Sequence, residues 1–417
     1  MFGKPLSQVD PEMHAIISAE LERQQRTLML IPSENYASPA VMSLQGSVMT
    51  NKYAEGYPGA RYYNGCAWVD AAEALGVERA QKLFHAEYAN LQPHTGSQAN
   101  MAAYYALIEQ GDTILAMSLE HGGHLTHGKD LNFSGRFYKA AFYGVNKDSE
   151  RIEMEEVREI AVRCQPKIIV VGASAYPRTI DFAPWQKLAE EVGAYLMADI
   201  AHIVGLVAAG VHPSPVPHAD VITSTTHKTL RGPRGALILA KEEHAKPLDR
   251  AVFPGVQAGP LMHVIAAKTV ALAEAMTDSF KMYQKQIVDN AQAMAQSFLD
   301  RGIRLVSGGT DNHLMILDLT KEGVTGREAA DLLESVGIVV NKNCIPFDPR
   351  SPLVTSGIRP GTPALTTRGL GVAEMEEVGD CVCRVIRSKG DDKELDAIRK
   401  RVDALCEAFP IYEELSY

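Results

Sequence analysis

The sequence predicts an α/β fold: a large domain on a mainly parallel sheet, then a smaller C-terminal α+β domain. Three observations predict it. Apolar runs of strand length recur at 112–117, 168–173, 194–198, 220–224 and 236–240, with helical patterns such as 182–192 between several of them. That alternation is the rhythm of βαβ units whose sheet is covered on both faces. Past about residue 280 the rhythm changes to short apolar runs separated by amphipathic helices. Finally, polar residues of chemical interest stand at or just beyond the carboxyl ends of two strands, where such sheets bind ligands.

In chain order, Asp10-Pro11-Glu12 is a helix start, with a capping Asp, Pro in the first turn and then an acid. The helix runs to about Gln25 with Ile16, Ile17 and Leu21 on one face. Residues 31–63 hold little regular pattern but many Gly, Tyr and Asn, which reads as a functional loop; its aromatics argue against disorder. Helical patterns follow at 70–85 and 97–110, and then the strand series. A long helix with one or more breaks spans about 260–300. Beyond it lie apolar runs at Gly302–Val306, His313–Asp318 and Gly337–Val340, with helices at 326–335, 371–388 and 391–408. The expected organisation is a helical arm over 1–30, a large domain over 31–280 and a small domain over 281–417, without internal repeats.

A net charge of −10 over 417 residues disfavours nucleic acid and anionic membranes as partners. No apolar run approaches membrane-spanning length, and Met-Phe-Gly-Lys-Pro-Leu-Ser is not a signal peptide. Six scattered cysteines show no disulfide framework, which fits reduced thiols and a cytoplasmic location.

The chain turns on residues 223–235, Thr-Ser-Thr-Thr-His-Lys-Thr-Leu-Arg-Gly-Pro-Arg-Gly, set between two apolar strands. A buried ammonium is costly, so a lysine there needs a reason. Flanking hydroxyls suit a phosphate, and Lys228 reads as an amine that joins a carbonyl as a Schiff base, most simply that of pyridoxal phosphate. On this run alone, a lysine in a surface loop fits as well. Asp199 shifts the balance: it ends the apolar run from Ala194, and His202 follows three residues later. A carboxylate there can keep the pyridine nitrogen protonated, and His202 can stack on the ring or bond its phenolic oxygen. His94-Thr95-Gly96-Ser97-Gln98 opens a helix, where free amides and two hydroxyls make an anion site; plain capping is the simpler alternative. His121, His124 and His127 have the spacing of a metal face, but no Cys or acid trio completes it, and metal is disfavoured.

Taken together, six runs resemble the serine hydroxymethyltransferase family: Pro32-Ser-Glu-Asn-Tyr36, Asn51-Lys-Tyr-Ala-Glu-Gly-Tyr-Pro-Gly-Ala-Arg-Tyr-Tyr63, His94-Thr-Gly-Ser-Gln-Ala-Asn100, His121-Gly-Gly-His-Leu-Thr-His-Gly128, Thr226-His-Lys-Thr229 and Ser356-Gly-Ile-Arg-Pro-Gly-Thr-Pro363. The resemblance extends from about Asp10 into the C-terminal helices. It implies a fold-type I pyridoxal-phosphate transferase with a seven-stranded, mainly parallel sheet. Its activity would be the transfer of a one-carbon unit between serine and tetrahydrofolate, giving glycine. The cofactor would be covalent on Lys228, with Asp199, Thr95, Gly96, Ser97, Ser174, His202 and Arg234 around it and His124 stacked on its ring. Thr225 would sit beside the reacting amino acid, and Arg359, helped by Ser33, would hold its carboxylate. Glu55 would be the general acid/base, which asks for a buried carboxyl. Tyr53, Glu55 and Gly259 would serve the neighbouring subunit's site in a homodimer or tetramer, and Tyr63 would lie near the lysine. Leu119, Leu125 and Asn343 match folate-contacting positions.

One departure stands out. The run Phe253-Pro-Gly-Val-Gln-Ala-Gly-Pro260 has Ala258 where the family pattern has glycine, so a methyl stands to restrict the backbone or crowd the phosphate. It is the single hint of an α-methylserine hydroxymethyltransferase or a threonine-type aldolase on the same scaffold. A non-enzymatic relative would tend to lose the lysine or the carboxylate clamp, whereas Lys228, Asp199, Glu55 and Arg359 are all present.

Overall fold

The computed structural model describes residues 3–417, in two units. The larger is Asn35–Val288 with Thr310–Leu314; the smaller is the chain up to Glu34 with Asp289–Gly309 and Met315–Tyr417.

The larger unit is built on a seven-stranded sheet. Its strands are β1 (Tyr88–Asn90), β2 (Thr113–Met117), β3 (Lys139–Tyr143), β4 (Ile168–Val171), β5 (Tyr195–Asp199), β6 (Val221–Thr225) and β7 (Ala236–Ala240). The spatial order is β1-β7-β6-β5-β4-β2-β3. β7 is antiparallel to both β6 and β1, while every other pairing is parallel. The central strands are continuous apolar runs because both faces are covered. All four residues of β4, Ile-Ile-Val-Val, are buried, and each such side chain contributes roughly 1.5–3 kcal/mol over an exposed one.

Three helices of this unit matter for the site: α1 (Ala67–Phe84), α2 (Gly96–Leu107) and α3 (Met262–Ala275). α3 is apolar nearly all round and buried along its length. It meets α1 at Gly76, where a Cβ would stand 2.4 Å from Thr269 Oγ1 and 2.5 Å from a Leu91 methyl. Met276 and Thr277 separate α3 from the helix Asp278–Asp300.

In the smaller unit a four-stranded antiparallel sheet runs Arg304–Leu305, Leu317–Asp318, Gly357–Arg359, Asn341–Asn343. A parallel pair joins Leu28–Met29 to Ile338–Val339. The helices Gly326–Ser335, Val372–Ser388 and Asp392–Ala408 supply its core, and Thr325 with Glu328 forms a capping box on the first. Asp10 caps the helix Pro11–Arg26, as its Asp-Pro start predicts. Arg368 ties the end of that helix down, donating to the carbonyls of Gln25 and Thr27 at 3.0 and 2.9 Å. Among the described residues, no helix is long and apolar enough to cross a membrane.

Candidate active site

β5 ends in Asp199, and the sheet gathers polar side chains round its carboxylate. One oxygen accepts from His127 Nε2 at 3.1 Å and from Asn100 Nδ2 at 2.9 Å. The other accepts from the Ala201 amide at 3.1 Å. Asn100 is itself pinned, accepting from Thr223 Oγ1 at 2.6 Å and donating to Thr126 Oγ1 at 2.7 Å. Burial would raise the Asp199 carboxyl. The hydrogen bond and charge of His127, joined by His124 and Asn100, outweigh burial and hold it well below the usual carboxylate range. Close approach here needs Gly172 at the end of β4: a Cβ on it would stand 2.1 Å from the Asp199 carbonyl oxygen.

The three histidines of 121–127 have three separate partners. His121 Nδ1 accepts from the Val145 amide at 3.1 Å, His124 Nδ1 bonds Thr126 Oγ1 at 2.7 Å, and His127 serves Asp199. Burial, against the opposing charge of Asp199, pulls His124 down to about 4, so it is a neutral ring at physiological pH. His202 faces His313 with Nδ1 and Nε2 3.3 Å apart. Ser174 donates its amide to Gly122 O at 2.7 Å, which seats it beside the histidine loop.

Lys228 follows β6 by three residues and is 9 % exposed. Asn35 fixes its backbone, donating to the Lys228 carbonyl at 3.0 Å and to Tyr283 Oη at 2.8 Å. The Lys228 charge is felt at His124, so lysine and imidazole share one neighbourhood. Burial, then the charges of Arg234 and Lys228, push His227 down to about 3, which removes it as a base near neutrality. Arg234 itself is exposed at the tip of the turn.

At the head of α2, Thr95 caps the helix through the Gln98 amide at 3.3 Å. A Cβ on Gly96 would stand 2.8 Å from the Thr225 methyl group, so glycine is what lets the helix start pack directly against the end of β6. Thr225 Oγ1 donates to Ala201 O at 3.3 Å, linking that strand end to the Asp199 turn.

The loop 53–63 gathers Tyr53, Glu55 and Tyr63. The rings of Tyr53 and Tyr63 meet edge to face at 5.2 Å, and a hydrogen bond to Glu55 pushes the Tyr53 phenol up. Both tyrosines are exposed and Glu55 is half-buried, so this chain alone does not enclose the carboxyl as general acid/base work would require. The loop's anchor, which sequence reasoning missed, is Arg61. It donates to Ala54 O and Gly56 O, the carbonyls on either side of Glu55, at 2.9 and 2.7 Å. It also pairs with Asp70 at 2.8 Å and with the buried Glu73 at 2.5 Å. Gly259 lies against Tyr53, where a Cβ would come 3.2 Å from the ring. Ala258 is exposed and lacks the positive φ that would strain a non-glycine residue, so its methyl meets no obstacle in this chain.

In the smaller unit, Arg359 is buried on its strand, with Nη2 3.4 Å from Asn341 Oδ1, and burial pulls it down to about 10. Ser33 and Asn343 are half-buried, and Asn343 donates to Cys344 O at 2.7 Å. Leu119 and Leu125, in the larger unit, are exposed side chains beside the histidine loop.

The donor set fits pyridoxal phosphate. Asp199 is an ionised acid fixed by two side chains, the lysine is nearly buried, a neutral imidazole stands by, and a glycine brings a helix start with its amides against the end of β6. Sequence reasoning passed over Asn100 and weighed His127 only as a metal ligand, although both lie inside runs it singled out. In comparison with known proteins, residues 6–382 match the family model described as Serine hydroxymethyltransferase.

Proposed function

Because the chain belongs to the serine hydroxymethyltransferase family, we propose that it converts L-serine and tetrahydrofolate to glycine and 5,10-methylenetetrahydrofolate, and the reverse. It is a pyridoxal-phosphate-dependent hydroxymethyltransferase, an enzyme of serine and glycine chemistry with the fold-type I architecture. The observation that supports the cofactor's place in this reading is the Asp199 cluster, an acid kept ionised at a strand end by His127 and Asn100, while the choice of serine and folate rests on the family.

The cofactor, when bound, supplies an electron sink for the pair released at the amino acid's Cα. Lys228 would hold its aldehyde carbon. Thr95, Gly96 and Ser97 would bind its phosphate through hydroxyls and amides. Asp199 would keep a proton on its ring nitrogen, and the neutral His124 would cover one ring face, with Ser174 and His202 at the edge. Arg359 would take the substrate carboxylate through its planar fork, with Ser33 beside it. Glu55 would take the serine hydroxyl proton as Cβ leaves, with Tyr53 and Tyr63 closing off water and Thr225 beside the amino group. Leu119, Leu125 and Asn343 would seat the pterin.

A homodimer, or a tetramer of such dimers, with cytoplasmic location completes the proposal. The half-open setting of Glu55 and the exposure of Tyr53, Tyr62 and Trp68 support a second copy that lends Tyr53, Glu55 and Gly259 to its neighbour.

The test is borohydride reduction of the cofactor-loaded protein, followed by peptide mapping and turnover of L-serine with and without tetrahydrofolate. A label on the peptide holding Lys228, absent in Lys228→Ala, and folate-dependent glycine release are expected. No label would sink the lysine assignment. Cleavage of β-hydroxy amino acids without folate, as the sole activity, would point to an aldolase.

A further inference from the structure

Lys268 lies on α3, is 1 % exposed and takes no part in the proposed chemistry. Its ammonium donates to three carbonyls: Leu91 O at 2.8 Å, Pro93 O at 3.0 Å and Ala236 O at 2.8 Å. An ammonium has three protons, and each finds an acceptor. A neutral amine would turn a lone pair toward one of these oxygens. The geometry therefore favours the charged form, although burial, opposed by Glu73, pulls Lys268 down to about 7.

What the three carbonyls belong to gives the contact its meaning. Leu91 and Pro93 follow β1 and lead into His94-Thr95-Gly96-Ser97 at the head of α2. Ala236 opens β7, directly after the turn that carries Lys228. The two segments also meet through the Ala236 amide, which donates to Pro93 O at 3.2 Å. The turn is closed by Thr226 Oγ1 donating to Pro233 O at 2.7 Å. Gly235 leaves room for the lysine: a Cβ there would stand 2.4 Å from Lys268 Cε and 3.0 Å from Nζ. One buried charge thus staples the helix start to the lysine turn.

We propose that Lys268 is a positioning residue that sets the spacing between the phosphate-binding head of α2 and the Lys228 turn, and through it the affinity for a ligand that must touch both. The inference rests on the cofactor reading above. A ligand held at two points depends on their spacing, whereas a ligand held at one point does not.

The test compares pyridoxal phosphate with pyridoxal, which keeps the aldehyde and lacks the phosphate. Both are titrated by absorbance into cofactor-free wild type and Lys268→Met, a side chain of similar length without donors. Lys268→Met is expected to weaken pyridoxal phosphate at least tenfold and pyridoxal less than twofold. An unchanged ratio of the two affinities overturns the proposal, whether neither ligand weakens or both weaken alike as general damage would cause. Gly235→Ala displaces the ammonium instead of deleting it and is read the same way, so it decides the matter if Lys268→Met does not fold. Wild type that binds neither ligand would sink the cofactor site itself; wild type that prefers the phosphate form, with a variant that keeps that preference, would sink only the role of Lys268.

Discussion

Replacing Arg61 by Met should damage the molecule through Glu73. Methionine keeps much of the arginine stem's packing and removes the guanidinium. Glu73, 2 % exposed, then keeps the hydrogen bond from Gln92 Nε2 at 2.7 Å. Breaking a buried pair by deleting one member costs about 3–5 kcal/mol, because the survivor's charge stays desolvated. Ala54 O loses its arginine donor as well, while Gly56 O keeps Gln92 at 2.9 Å. Glu73 already sits above its ordinary value, because burial outweighs Arg61 and Gln92. A raised acid favours the folded state when protonated, so without Arg61 the variant's stability falls as pH rises past the ordinary carboxylate range. The deficit should be smallest in acid and grow toward neutrality. The assay is urea unfolding of wild type, Arg61→Met, Glu73→Gln and the double variant, all cofactor-free, at pH 5 and pH 8. A coupling of about 2–3 kcal/mol at pH 8 is expected, smaller at pH 5. Additive single effects at pH 8, or a deficit that ignores pH, would refute the reasoning.

Asp199→Asn removes a carboxylate held below its ordinary range, whose contribution is full above that range and lost as pH falls from it through the lower value of the folded state. Acid unfolding followed by circular dichroism should therefore be steeper in wild type than in the variant, and equal slopes would contradict the pinned anion. Ala258→Gly should leave the urea-unfolding stability of the cofactor-free protein within about 1 kcal/mol of wild type, since this residue has no strained backbone to relieve. A clear gain in stability would reinstate the backbone restriction that the sequence suggested.

Five of the seven strands were legible because they are strand-like runs rich in apolar residues, such as Ile168-Ile-Val-Val171. β1 was not, since Tyr88-Ala-Asn90 is three residues long and earns its place by pairing with β7. β3 was not either: at the sheet edge, most of Lys139–Tyr143 remains accessible, which blurs its pattern. The apolar run from His313 is divided. Its first two residues belong to the larger unit, and the strand starts at Leu317. Lys228 and Asp199 could be located as a pair, because a lysine and an acid at the ends of successive strands of one sheet point to one ligand, although each alone has an ordinary structural use. Asn100 and His127 could not, because a helical Asn and one of three histidines acquire their roles only when the sheet brings β5 alongside them. Lys268 drew no attention within the long helical pattern of 260–300; only the convergence of three carbonyls from distant segments marks it.

The parallel pairing of Leu28 with Ile338 has a consequence during synthesis. The ribosome delivers the early strand long before its mate, by tens of seconds at about 5–20 residues per second. Throughout that interval Leu28, Met29 and Leu30, all buried in the finished molecule, lack the partner that shelters them. A nascent chain of this protein therefore carries an unpaired apolar triplet until Ile338 has emerged.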